Sequence, residues 1–138
     1  MNAKSTYNTY KTGRLGETVA CDYLARLGFN VVCRNYRFNA DNRIRGEIDI
    51  IAEDSKYIIF VEVKLRRYDP VLLARYGRPS AAVTRGKQAK ILVGAQCYLR
   101  EYPTRLQPRA DVIEITYREL EDGGAIFDIN HIKGAFTR

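Results

Sequence analysis

Histidine is nearly absent from this chain: His131 is the only one among 138 residues. A histidine-based triad, a HEXXH zinc site and any multi-histidine metal centre are excluded by that count. Cysteine is scarce as well. Cys21, Cys33 and Cys97 are odd in number, widely spaced and free of any Cys-x-x-Cys pair. That argues against a disulfide framework and a zinc site, and suits a reducing cytoplasm. No apolar run approaches the ~20 residues that span a bilayer. Met1 to Thr12 is polar and has no apolar core of a signal peptide, so a cytoplasmic protein without membrane attachment is expected. Repeats, low-complexity tracts and linkers are missing too. With 46% apolar and 28% charged residues, the expectation is one ordinary globular domain over 1–138.

What the chain does have is localised positive charge. Between Lys64 and Lys90 stand eight basic residues (Lys64, Arg66, Arg67, Arg75, Arg78, Arg85, Lys87 and Lys90) against a single acid, Asp69. That surplus equals the net charge of the whole chain, +7. Phosphate contacts carry most nucleic-acid affinity, so these eight residues are candidate nucleic-acid ligands. The same composition also fits an exposed loop kept soluble by arginine.

The basic segment follows two β-branched, apolar runs, Gly46–Ala52 and Tyr57–Lys64, separated by Glu53-Asp54-Ser55-Lys56. This is the pattern of a hairpin. Alternation puts Ile48 and Ile50 on one face of the first run, and Glu47, Asp49 and Ile51 on the other. In the second run Ile58, Phe60, Glu62 and Lys64 share a face. A turn centred on Ser55-Lys56 pairs residue n with residue 111 − n, which sets Asp49 opposite Glu62. Carboxylates that close repel unless a proton or cation lies between them. A hard divalent ion, Mg²⁺ or Mn²⁺, is the natural guest. Lys64 would point at whatever that ion holds. A salt-bridged Asp/Glu/Lys cluster on a solvated sheet face fits the same spacing.

Along the chain, residues 1–11 read as a disordered lead-in. A helix begins at Thr12 with a stripe of Leu15, Val19, Ala20, Tyr23, Leu24 and Leu27 and a glycine cap at Gly28. Glu17 falls at the border of that stripe, where it can also serve the helix dipole. Asn30–Phe38 reads as a strand and Asn39–Arg43 as a turn-rich connection that fits a bulged or a wider hairpin. Arg34, Arg37, Arg43 and Arg45 could extend the basic face. Residues 66–82 have no clean period and read as a mobile basic loop facing substrate. Thr84 is a plausible N-cap for a second helix, with Ile91, Leu92, Ala95, Tyr98, Leu99 and Tyr102 as its stripe. Strands follow at Ala110–Tyr117 and Ala125–Ile132. Asp111 and His131 suit structural hydrogen bonding. The fold class is α/β: a central mixed sheet of about five strands flanked by two main helices, in the order α-β-β-β-α-β-β.

Five pieces of sequence carry a resemblance: Gly16-Glu17, Gly46-Glu47-Ile48-Asp49-Ile50-Ile51, Phe60-Val61-Glu62-Val63-Lys64, Ala110-Asp111-Val112-Ile113 and Ile132-Lys133-Gly134-Ala135-Phe136. In that order they resemble the YraN-like proteins of bacteria, and Asp49 with Glu62-Val63-Lys64 resembles the PD-(D/E)xK signature of restriction-endonuclease-like nucleases. The Pro-Asp of that signature is Ile48-Asp49 here. The resemblance implies a metal-dependent endonuclease or exonuclease acting on phosphodiesters, DNA first, in the manner of junction resolvases and with a possible homodimer. It implies Asp49, Glu62, the Val63 carbonyl and Glu17 as ligands of Mg²⁺ or Mn²⁺, and Lys64 beside them as a catalytic group. A nucleic-acid-binding module without cleavage is the alternative, and a structural protein the third possibility. No role follows for Glu47 beyond steering Lys64 or an arginine.

Overall fold

A computed structural model describes residues 2–5, 12–76 and 85–136. The elements are β1 (Asn2–Ser5), α1 (Thr12–Arg26), β2 (Asn30–Ala40), β3 (Ile44–Glu53), β4 (Tyr57–Arg67), α2 (Pro70–Tyr76), α3 (Arg85–Glu101), β5 (Gln107–Glu119) and β6 (Ala125–Ile132). The six strands form one mixed sheet in the order β1-β6-β5-β4-β3-β2. Among the described strands only β4 and β5 run parallel, with α2 and α3 between them in the chain. From α1 onward the two main helices and five strands follow the expected order.

Each face of the sheet is covered by one helix. On one side Leu15, Val19, Ala20 and Leu24 of α1 pack on Ile50, Ala52, Ile59, Val61, Ile113 and Ile115. On the other, Ile91 and Ala95 of α3 pack on Phe38, Ile48, Ile51, Ile58 and Phe60. The apolar stripes read from spacing are thus what each helix buries. Gly28, at φ +95°, closes α1 in a backbone region that disfavours side chains. None of the helices is long and apolar enough to cross a membrane, among the described residues.

Two expectations are corrected by the fold. Asn2–Ser5, placed in a disordered lead-in, is a strand whose partners are Ala125–Asp128 of β6. Four residues contain no usable period, and the partner lies at the far end of the chain. Within 66–82, expected as a mobile loop, Pro70–Tyr76 is helical. Asp69 Oδ1 accepts the Val71 N–H at 2.9 Å, so Asp69-Pro70 is a helix N-cap and first position and not a break. Residues 77–84, with Arg78 and Thr84, lie outside the described residues.

Candidate functional site

The β3–β4 hairpin begins at a turn held by one side chain. Asp54 Oδ1 accepts the N–H groups of Lys56 and Tyr57 at 2.8 and 2.7 Å. This pins the register: Ile50, Ile51, Ala52 and Glu53 pair with Val61, Phe60, Ile59 and Ile58, which is the 111 − n rule. Beyond Ile50 the backbone ladder gives way to a side chain. Asp49 Oδ2 accepts the Val63 N–H at 2.8 Å, so the two strands stay joined while the Asp49 carboxylate is held next to Glu62.

The alternation expected for β3 fails at this point. Ile48 packs with Ile51 on the α3 side, whereas Ile50 packs on the α1 side. The opposite strand explains it. Asn35 of β2 sits at φ +54°, and the β2–β3 pairing passes from Arg34↔Ile50 to Tyr36↔Ile48 with no Asn35–Asp49 pair. A left-handed residue in a strand breaks the two-residue period. The β2–β3 hairpin is bulged and not wide: its register shifts between Val31 and Cys33, while at the turn Asp41 and Asn42 take positive φ and Arg43 N–H donates to the Ala40 carbonyl at 3.0 Å.

Glu17 reaches this irregular edge because its neighbour is glycine. A β-carbon on Gly16 would lie 3.2 Å from Leu65 Cβ and 3.3 Å from Val63 Cγ1, so α1 rests directly on β4. Glu17, Glu47 and Asp49 then converge, each offering a carboxylate oxygen within 4.8 Å of the other two. Burial pushes the Glu17 carboxyl up, with Glu47 adding to the effect and Arg34 opposing it. The Asp49 carboxyl is pushed up to about 7, first by burial and then by Glu62, against the pull of the Val63 N–H. Burial and neighbouring carboxylates thus disfavour the charged forms of Glu17 and Asp49, which is the electrostatic condition that a bound cation relieves. Octahedral Mg²⁺ separates opposite oxygens by about 4.2 Å. Three carboxylates whose oxygens all lie within 4.8 Å of one another are a hard, anionic oxygen donor set of the kind such an ion takes, and in that chemistry the residues fit it.

Glu62 has a different partner. It lies on β4 with 3% exposure, and Oε1 forms an ion pair with Lys87 Nζ of α3, while Lys64 Nζ stands 3.7 Å from the same oxygen. The Glu62 hydrogen bond holds the Lys87 ammonium above its usual range. Lys64 is pushed down, by burial and then by Lys87. One strand further, Glu114 of β5 is in register with Lys64. It is 2% exposed, and its Oε2 has no hydrogen-bond partner among the described residues.

Glu17, Glu47, Asp49 and Glu62 line a cleft of about 920 Å³ walled by Arg14, Arg37, Arg45, Lys87 and Lys90; Lys64 and Glu114 are not among its lining residues. The structure thus brings together Asp49, Glu62, Glu17, Lys64, Lys87 and Lys90. Val63 contributes its N–H to Asp49. Arg85 is exposed at the start of α3. Arg66 and Arg67 are exposed at the end of β4, with Arg67 3.8 Å from Glu119, and Arg75 is exposed on α2; none of the three lines the cleft. Sequence reasoning missed Glu47 as a member of the carboxylate cluster, although its two-residue spacing from Asp49 was a signal. It missed Arg14 altogether, one ordinary residue in the first turn of a helix.

Asp111 and His131 form a separate buried network. Arg109 donates two bonds to Asp111, at 2.8 and 2.9 Å, and the Gly134 N–H donates a third at 3.0 Å. His131 Nε2 lies 2.7 Å from Asp111 and its Nδ1 3.0 Å from the Tyr23 hydroxyl. Burial alone would raise the Asp111 carboxyl, but His131, Arg109 and Gly134 hold it below the ordinary aspartate range. The network ties α1, β5, β6 and the C-terminal turn together, the structural task expected of both residues.

Comparison with known proteins agrees with the resemblance. A model of the Uncharacterised protein family UPF0102 matches residues 16–115, which contain all four cleft carboxylates and Lys64. A UPF0102 protein of Syntrophotalea carbinolica is 41% identical over 132 residues, covering 95% of each chain. One from Clostridium botulinum is 39% identical over 126 residues, covering 90% of this chain and 92% of the relative. One from Chlorobium chlorochromatii is 38% identical over 130 residues, covering 94% and 93%. With the family model across most of its length and such relatives over nearly all of it, this chain belongs to the UPF0102 family.

Proposed function

We propose that the cleft is the active site of a divalent-cation-dependent nuclease that hydrolyses phosphodiesters in DNA or structured nucleic acid. The observation that carries this is the convergence of Glu17, Glu47 and Asp49 at the floor of a cleft whose walls are basic. Acid alone would repel a nucleic acid, and basic walls alone would bind it without chemistry. Together they suit a phosphate backbone laid across a cation site. Bound Mg²⁺ or Mn²⁺ would polarise a phosphoryl oxygen and make a water more acidic. Glu17, Glu47 and Asp49 would hold it, with Glu62 adjacent. Lys64, partly buried beside Glu62, would stabilise negative charge that develops on the phosphate. Arg14, Arg37, Arg45 and Lys90 orient the backbone, with no base-reading element among them.

The test is a Mn²⁺ titration by calorimetry on the wild type and on Asp49→Asn, followed by a cleavage screen on branched, flapped and single-stranded DNA and RNA. Binding and cleavage in the wild type alone are expected. Equal binding or equal cleavage by Asp49→Asn would sink the assignment. One observation favours a second reading, a nucleic-acid-binding module without cleavage: Glu62 is already neutralised by Lys87. That reading requires oligonucleotide binding that is indifferent to chelator.

A further inference from the structure

Lys87 stands where a helix does not favour a lysine. It is in the first turn of α3, together with Arg85 and without any acidic residue, so its charge opposes the helix dipole. Its ammonium compensates for this by pairing with Glu62, a carboxylate 3% exposed that has Lys64 at 3.7 Å from the same oxygen. Without Lys87, Glu62 would keep only the longer 3.7 Å pairing with Lys64. Lys87 itself is accessible, with 45% of its side chain exposed on the wall of the cleft. It is therefore the solvent-accessible half of the pair, and Glu62 the buried half.

We infer that Lys87 is a resident counter-ion that holds Glu62 away from metal until a polyanion draws the ammonium off. This rests on the proposed function of the cleft. The isolated protein takes one divalent cation, at Glu17, Glu47 and Asp49, while Lys87 satisfies Glu62. A phosphate backbone in the cleft competes for the Lys87 ammonium. Glu62 is then released next to Asp49, and a second cation position opens between them. Cation and nucleic acid reinforce each other through this one side chain, and the protein is spared a fully loaded hydrolytic site when no substrate is present. Lys87 is in this sense a positioning residue, acting through Glu62.

The experiment counts Mn²⁺ bound per chain at equilibrium, by electron paramagnetic resonance, with the metal alone as probe. The proteins are the wild type, Lys87→Met, Lys87→Gln and the double variant Lys87→Met/Glu62→Gln. Lys87 is exposed on a helix surface, and the two single variants guard against a folding defect in one of them. At a Mn²⁺ concentration that fills the first site, one ion is expected in the wild type and two in each single variant, the second position being roughly 5- to 150-fold weaker in the wild type and so left unfilled. The double variant is expected to return to one. Isotherms of both single variants that superimpose on the wild type would overturn the inference while leaving the first cation site standing. No Mn²⁺ in any of the proteins would overturn the cation site itself, and this inference with it.

Discussion

Asp49 and Asp111 are both buried aspartates, and they answer to pH with opposite signs. An unfolded aspartate titrates near 3.9, whereas folded Asp49 is pushed up to about 7. Between those values the native state keeps a proton that the unfolded chain has released. The contribution of Asp49 is thus full below about pH 4 and lost as pH rises to about 7. In the presence of chelator, urea midpoints should fall from pH 5 to pH 8, and Asp49→Asn should flatten that fall; parallel slopes in the two proteins would contradict it. Asp111 is depressed, so its contribution is full above the ordinary aspartate range and disappears as pH drops through it. Asp111→Ala leaves the largely buried Arg109 guanidinium without its carboxylate and His131 Nε2 without its hydrogen-bond partner, and should cost about 3–5 kcal/mol by chemical denaturation. A loss under about 1 kcal/mol would mean that the network is relaxed by water.

At the scale of elements, α3 is seated on one wedge. Phe38 of β2 fits between Gly46 and Gly94: a β-carbon on Gly46 would lie 2.6 Å from Phe38 Cζ, and one on Gly94 would run into Phe38 Cε1 and come within 3.0 Å of Ile48 Cδ1. Gly94→Ala should therefore cost about 1–3 kcal/mol through overpacking, and should also loosen the Lys87–Glu62 pair, because α3 carries Lys87. Unchanged denaturation midpoints would show that the wedge yields easily. Elements differ sharply in how far the sequence announced them. The β3–β4 register was legible because Asp54 and the alternation of Tyr57–Lys64 both act locally. The broken period at Asp49 was not, since its cause is the backbone of Asn35 on a neighbouring strand. α2 hid behind Asp69-Pro70, a pair that signals a loop and a helix start equally well. Convergence of Glu17 with Glu47 depends on how closely α1 rests on β4, which a helical wheel cannot supply.

Over the whole molecule, the cations that wall the cleft come from four separate elements or their ends, with Arg14 on α1, Arg37 on β2, Arg45 on β3, and Lys87 and Lys90 on α3. The basic segment Lys64–Lys90 is only part of that wall. If nucleic acid lies in the cleft, replacing Arg14, Arg37, Arg45 and Lys90 with alanine should weaken binding and make its salt dependence shallower, by about 0.9 in logarithmic slope for each duplex phosphate left without its cation. Replacing Arg66, Arg67 and Arg75 should leave the slope as it is. The reverse pattern would move the binding surface to the end of β4 and α2.

The single parallel join in the sheet has a consequence for how the molecule assembles. The hairpin of Asp49 and Glu62 closes through the short turn at Asp54, whereas Tyr57 must find Gln107 before β4 acquires its other neighbour. Closing a long loop costs entropy that a hairpin does not incur, and pairings distant in sequence slow folding. The carboxylate hairpin is thus a local structure available early, while the roof that supplies Lys87 arrives with the crossover. During that interval Asp49 and Glu62 stand together with Lys64 but without Lys87, and a divalent ion present in the refolding buffer would meet them at their most receptive.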